Sequence, residues 1–176
     1  IPPERIFTEG IQQITGQDIR YADELGYCIK LLALAVVQDG ELEVRVHPTM
    51  IPREHMLANV TQAFNAVYVT GEATGPVMFY GKGAGMMPTA GAVVSDLVDL
   101  TRSLRRGCRR PLSPLGFSGE IAPPFSLRRM EDLVTKYYFR FPVRDRPGVL
   151  SRIAGILGKH NISIHSVIQH GRERNG

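Results

Sequence analysis

The apolar and polar positions of this chain change period several times, and each change marks an element. Residues 27–37 (YCIKLLALAVV) form a nearly unbroken apolar run with β-branched side chains, which predicts a buried strand. Asp39-Gly40 is a hairpin turn signal. Residues 41–47 then alternate, with Leu42, Val44 and Val46 on one face and Glu43, Arg45 and His47 on the other. That is a strand with one buried and one polar face. Pro48 and Pro52 are expected to break it. Upstream, Thr15-Gly16-Gln17-Asp18 reads as a helix start of capping-box type. Ile19, Ala22 and Leu25 follow at helical spacing, and Gly26 can close the helix. Downstream, a short helix is expected over 53–59. Strands over 65–70 and 76–80 are joined by a turn around Gly71 and Gly75. A long helix follows, with Pro88 in its first turn, where proline is tolerated. Ala90, Val93, Val94, Leu97 and Leu104 make its apolar stripe.

The pattern then lapses. Residues 106–126 are rich in Pro, Gly and Ser without periodicity, and read as a linker. A second unit begins where Tyr137, Phe139, Phe141 and Val143 alternate as a strand. Asp145-Arg146-Pro147-Gly148 turns into a helix striped by Val149, Leu150, Ile153, Ile156 and Leu157. Gly158 and Asn161 end it, and 162–169 is a further strand, making one parallel βαβ unit. The expected class is α+β: a mixed or antiparallel sheet covered by helices, followed by this smaller unit.

Composition narrows the function classes. The 176 residues are 43% hydrophobic, enough for a real core, and no apolar run is long enough to span a bilayer. The net charge of +4 is partly gathered in Arg102, Arg105, Arg106, Arg109 and Arg110. No aromatic residues are interleaved there, so a solvated helix end and linker is favoured over a nucleic-acid face. Cys28 and Cys108 show no metal or redox spacing, which makes a reducing cytoplasm the default. The histidines His55, His160, His165 and His170 share no metal-ligand pattern, and no metal site is expected. The chain opens on Ile1 and stops at Gly176 just after a strand-like run, so a piece of a longer protein is expected.

The segment that bears on chemistry is YGKGAGMMPTAGAVVSDLVD, residues 80–99. It places Gly81, Gly83 and Gly85 between a strand and a helix. Glycine admits a ligand without a Cβ in the way, and a helix N-terminus offers free N–H groups and a positive dipole end. The spacing is not a dinucleotide fingerprint, since Met86 stands where its third glycine would be. It is not a phosphate-binding P-loop either. Lys30 lies in an apolar run where desolvation could lower its pKa, but a stem packed at a strand edge with a solvated ammonium is the simpler reading. His47 closes a strand on its polar face and reads as structural or interfacial. Glu41, Glu43 and Arg45 read as a solvated or dimer-facing strand surface.

Two regions, in order, resemble one known family. Residues 7–102, through RVHPT, FNAV and FYGKGAG-x-x-PTA, are similar to the substrate-binding and dimerisation domain of monofunctional bacterial homoserine dehydrogenase. Residues 138–166, with VRDRPGVLSRIAGILGKHNISI, look like the first half of an ACT domain of ferredoxin-like fold, which those enzymes carry at the C-terminus. Gly91 stands where family members often have serine. The resemblance implies domains over 1–105 (substrate and dimerisation), 106–135 (linker) and 136–176 (truncated ACT).

The resemblance also implies the chemistry. The family interconverts L-homoserine and L-aspartate 4-semialdehyde with NADP or NAD, on the route to threonine and methionine. Its nucleotide-binding domain and catalytic lysine are expected upstream of Ile1, so no catalytic residue is assigned here and the fragment alone is expected to be inactive. Gly83, Ala84 and Gly85 are the expected cofactor contacts, with Gly85 foremost. Asp145, Gly148, Val149, Leu150, Asn161 and Ile162 are the expected effector contacts, with threonine the obvious effector. A cytoplasmic homodimer is implied, with no nucleic-acid or membrane partner. The competing expectations are an amino-acid-sensing regulatory module and a dimerisation protein without catalysis. A pure sensor has no need of FYGKGAG-x-x-PTA.

Overall fold

The computed structural model describes residues 1–107 and 126–170. The expected linker lies mostly outside them, as do Cys108, Arg109 and Arg110. A single turn of 3₁₀ helix (Pro3–Arg5) precedes the short strand β1 (Phe7–Thr8) and the helix α1 (Gly16–Glu24). Thr15 caps α1 as its sequence predicts. Its hydroxyl accepts from the Asp18 N–H, while the Asp18 carboxylate accepts from the Thr15 N–H at 2.9 Å. Gly26, at φ 82°, takes the left-handed conformation that ends the helix.

Strands β2 (Tyr27–Gln38) and β3 (Glu41–Pro52) form an antiparallel hairpin paired along its whole length. Asp39 and Gly40 both have positive φ, as the two-residue turn requires. One expectation is corrected here: β3 does not break at Pro48 but runs on to Pro52, with Pro48 opposite Leu31. Proline is tolerated on a strand edge, where its missing donor interrupts no ladder. Beyond Val46, β3 has a neighbour on one side only among the described residues.

That other side carries two short parallel partners. β1 lies against Arg45 and Val46, and β6 (Ser126–Leu127) lies against Glu41 and Leu42. The sheet is therefore mixed, as expected, and α1 packs against β2. A 3₁₀ turn at Met56–Asn59 replaces the longer helix expected over 53–59. Strands β4 (Phe64–Gly71) and β5 (Gly75–Lys82) form a separate hairpin, and α2 (Met86–Arg105) follows directly. The helix α3 (Val149–Lys159) is also where the sequence places it.

The segments beside α3 differ from expectation. No ladder forms over 137–143 or 162–169, so the expected strands are not strands here. The local pattern nevertheless survives in 137–141. The rings of Tyr137, Phe139 and Phe141 follow one another at 6.1 and 5.9 Å, the i, i+2 repeat of an extended chain. What is missing is a partner, because strand pairing is set by distant residues.

The chain exposes 15373 Å². A compact monomer of 19.5 kDa would expose about 8,500 Å². The α2 stripe is bare, with Val93, Val94 and Leu97 each more than half exposed, and so are Val67 and Phe79 of the β4–β5 hairpin. Among the described residues only Ala22 and Ile51 are buried apolar side chains. Among the same residues, no helix is long and apolar enough to cross a membrane.

Candidate functional site

The glycine turn sits where strand, turn and helix meet. Gly81 is in β5, Gly83 and Ala84 lie between β5 and α2, and Gly85 is the N-cap of α2. The Gly83 N–H donates to the Ala63 carbonyl at 2.9 Å, fastening the turn to the start of β4. A Cβ on Gly83 would meet the amide of Asn65. Gly85 has φ 127° and ψ 148°, a region open to glycine and closed to other residues. No side chain caps α2, and Pro88 has no N–H to offer. The Met86 and Met87 N–H groups thus head a twenty-residue helix without a partner among the described residues. These two N–H groups can donate to a negative or carbonyl oxygen, with the positive end of the helix dipole behind them.

Other candidates resolve into structural roles. Lys30 Nζ donates to the Val60 carbonyl at 2.7 Å, tying β2 to the loop before β4. His47 Nε2 accepts from Arg45 Nε at 2.8 Å, which leaves Nδ1 to donate to the Pro48 carbonyl at 2.9 Å. Arg45 is also paired with Glu43. A shallow cleft of about 400 Å³ lies beside β1 and β6, but its Arg45 and Arg128 are already held by Glu43 and Glu41. No metal-ligating cluster occurs among the described residues.

The expected effector residues surround α3. Asp145 precedes its turn, Gly148 is its N-cap at φ 84°, and Val149 and Leu150 begin the helix. Asn161 and Ile162 sit past the other end. Asn161 has φ 55° and donates to the Gly158 carbonyl, and Ile162 donates to Leu157. That is the double closure of a Schellman motif, so both backbone N–H groups are committed to ending α3. The two halves of the expected site therefore flank opposite ends of one helix.

The sequence reading missed a cluster on α1. Arg140 donates to the Asp18 carboxylate through Nε at 2.7 Å and Nη2 at 3.4 Å, and the Tyr138 hydroxyl lies 3.4 Å from the same group. The Thr15 hydroxyl, above all, holds the Asp18 pKa down to about 2 against the opposing effect of burial, with Arg140 adding to it. Burial raises that of Tyr138. The available signal was the polar face of the alternation: Tyr138 and Arg140 are its even positions.

Known proteins are similar to this chain in sequence and fold. The homoserine dehydrogenase family model matches residues 1–98, more than half of the chain and all of the glycine turn. The chain belongs to the homoserine dehydrogenase family. The ACT domain model matches 137–176. A homoserine dehydrogenase of Pseudomonas aeruginosa is 41% identical over 170 residues, covering 97% of this chain and 39% of that protein. One from Synechocystis is 43% identical over 173 residues, covering 96% and 40%. The crystal structure of a homoserine dehydrogenase from Thiobacillus denitrificans superposes with a TM-score of 0.70 at 42% identity, over 94% of this chain and 38% of that one. The chain thus spans about two fifths of the length of these relatives.

Proposed function

We propose that this chain is the substrate and dimerisation part, with part of the regulatory domain, of an NAD(P)-dependent homoserine dehydrogenase. The domains in this reading are 1–105, a linker over 106–135, and an ACT portion from 136. The observation that carries it is Gly85: a residue held at φ 127° heads an uncapped helix inside the segment matched by the family model. Residues 83–85 would hold the cofactor through their backbone, with the Met86 and Met87 N–H groups available to donate to its polar atoms. A nicotinamide cofactor, when bound, accepts or supplies the hydride exchanged with the substrate carbon. The residues here would orient that cofactor, and Lys30, which donates to the Val60 carbonyl, ties β2 to the loop before β4. The bare faces of α2 and the β4–β5 hairpin support assembly as a homodimer. The half-ACT segment supports an amino-acid effector, with threonine as the candidate.

The test is Gly85→Val in the longer enzyme, assayed by homoserine-dependent NADP or NAD reduction. The KM for cofactor should rise about tenfold or more while the dimer persists on size-exclusion chromatography. An unchanged KM with the dimer intact would remove the glycine turn from the cofactor site.

A further inference from the structure

Asp18, Tyr21 and Glu24 are spaced by three residues and so run along one side of α1. Three residues from far along the chain meet that side. Arg140 and Tyr138 reach Asp18, and the Arg140 Nη1 group also reaches Gln17 Oε1 at 3.4 Å. His170 stacks on Tyr21, with ring centroids 4.5 Å apart and planes 6° apart, and its Nε2 lies 2.9 Å from Glu24. These partners come from the segments on both sides of α3, which converge on one helix face. Asp18, at 5% exposed, is the one buried charged residue among those described. A buried carboxylate needs a partner, and the docked guanidinium is that partner.

We propose that the Asp18–Tyr21–Glu24 side of α1 is the docking surface for the ACT segment of the same chain. The matching runs by hydrogen bond and by ring: Asp18 accepts from an arginine, Glu24 lies beside a histidine nitrogen, and a tyrosine stacks on the imidazole. Asp18 divides its two oxygens between two tasks. Oδ2 accepts from the Thr15 N–H and hydroxyl, closing the cap, with only the longer Arg140 Nη2 contact besides. Oδ1 accepts from Arg140 Nε and Tyr138, holding the docked segment. Residues 137–141 then explain themselves as a two-sided ribbon, its even positions bound to α1 and its odd rings turned outward. Residues 140 and 145 belong to one short stretch, so the ribbon held by Asp18 leads straight into the turn before α3. The inference rests on the ACT assignment and not on the proposed reaction.

Two variants separate the tasks. Asp18→Asn can keep an acceptor for the Thr15 cap but turns an N–H donor toward Arg140. Thr15→Ala removes the cap hydroxyl and leaves the docking carboxylate. The readout is the rate of tryptic cleavage after Arg140 in the full chain, followed by mass spectrometry with cleavage after Arg152 as internal reference. Asp18→Asn should speed cleavage after Arg140 about tenfold relative to Arg152, and Thr15→Ala should leave that ratio within about twofold. A wild-type ratio in Asp18→Asn would overturn the proposal. So would equal acceleration at both arginines, because Asp18 would then be a general stability element. No activity enters the measurement, so a failure of the dehydrogenase reading would leave the cleavage ratio and its meaning unchanged.

Discussion

A Cβ placed on Gly85 would lie 3.4 Å from the Cδ of Pro88, and the backbone there already stands at φ 127°. The start of α2 is thus reserved for glycine by conformation before any ligand is considered. Gly91, five residues into the same helix beyond its first turn, has nothing within 4 Å of an added Cβ. Gly85→Ala should therefore destabilise the protein by about 1–3 kcal/mol. Gly91→Ala should stabilise it by about 0.5–1 kcal/mol. Equilibrium urea unfolding of the two variants checks the contrast, and effects of equal sign would contradict it.

The reciprocal cap between Thr15 and Asp18 predicts a selective cost. Thr15→Ala should cost about 1 kcal/mol, as loss of a helix N-cap does, whereas Thr15→Ser should keep most of that stability. Denaturant midpoints of the three proteins measure it. An alanine variant as stable as the serine one would show that the cap contributes nothing.

Acid should act through the same carboxylate. Asp18 falls from an ordinary 3.8 to about 2 in the fold, so the unfolded chain binds its proton more readily. The stabilisation is complete above about pH 5, declines as pH falls through 3.8 and is gone below about pH 2. Carboxyl NMR titration of Asp18 should show a midpoint near 2, and Asp18→Asn should flatten the pH dependence of stability between pH 4 and 2. A midpoint near 3.8 would mean that the cap and the Arg140 pair do not hold in solution.

Hydrogen exchange should divide the chain sharply. Amides of β2 and β3 are laddered along twelve residues each, while 137–143 and 162–169 have no ladder at all. In the chain by itself the latter should exchange at close to unprotected rates and the hairpin much more slowly. Strong protection over 137–143 would mean that another strand has found that edge.

What could be read from the sequence was what local chemistry decides. Thr15 and Asp18 announce the cap of α1, Asp39-Gly40 the hairpin, and residues 81–85 the strand-to-helix turn; each feature is settled within a few residues. The misreadings lie where distant partners decide. Pro48 looked like a strand breaker because the sequence does not reveal which side of β3 stays open. The alternation of residues 137–143 predicted a strand but could not supply the strand that would pair with it, and only the i, i+2 spacing of the rings over 137–141 remains. The α2 stripe is plain in the sequence, yet it lies bare in this chain. Arg140 meets Asp18 across 122 positions, and no spacing rule reaches that far.

The two short partners of β3 carry a last implication. β6 covers Glu41 and Leu42, β1 covers Arg45 and Val46, and both run parallel to β3. They lie along one line, like a single strand cut in two and supplied from distant parts of the chain. Each half holds by two residues, aided at β6 by Arg128 bridging to Glu41 at 2.8 Å. The path from Thr8 to Ser126 is therefore a closed circuit whose clasp is the outer edge of β3. It is the seam along which the molecule can be unfastened while both long hairpins stay whole.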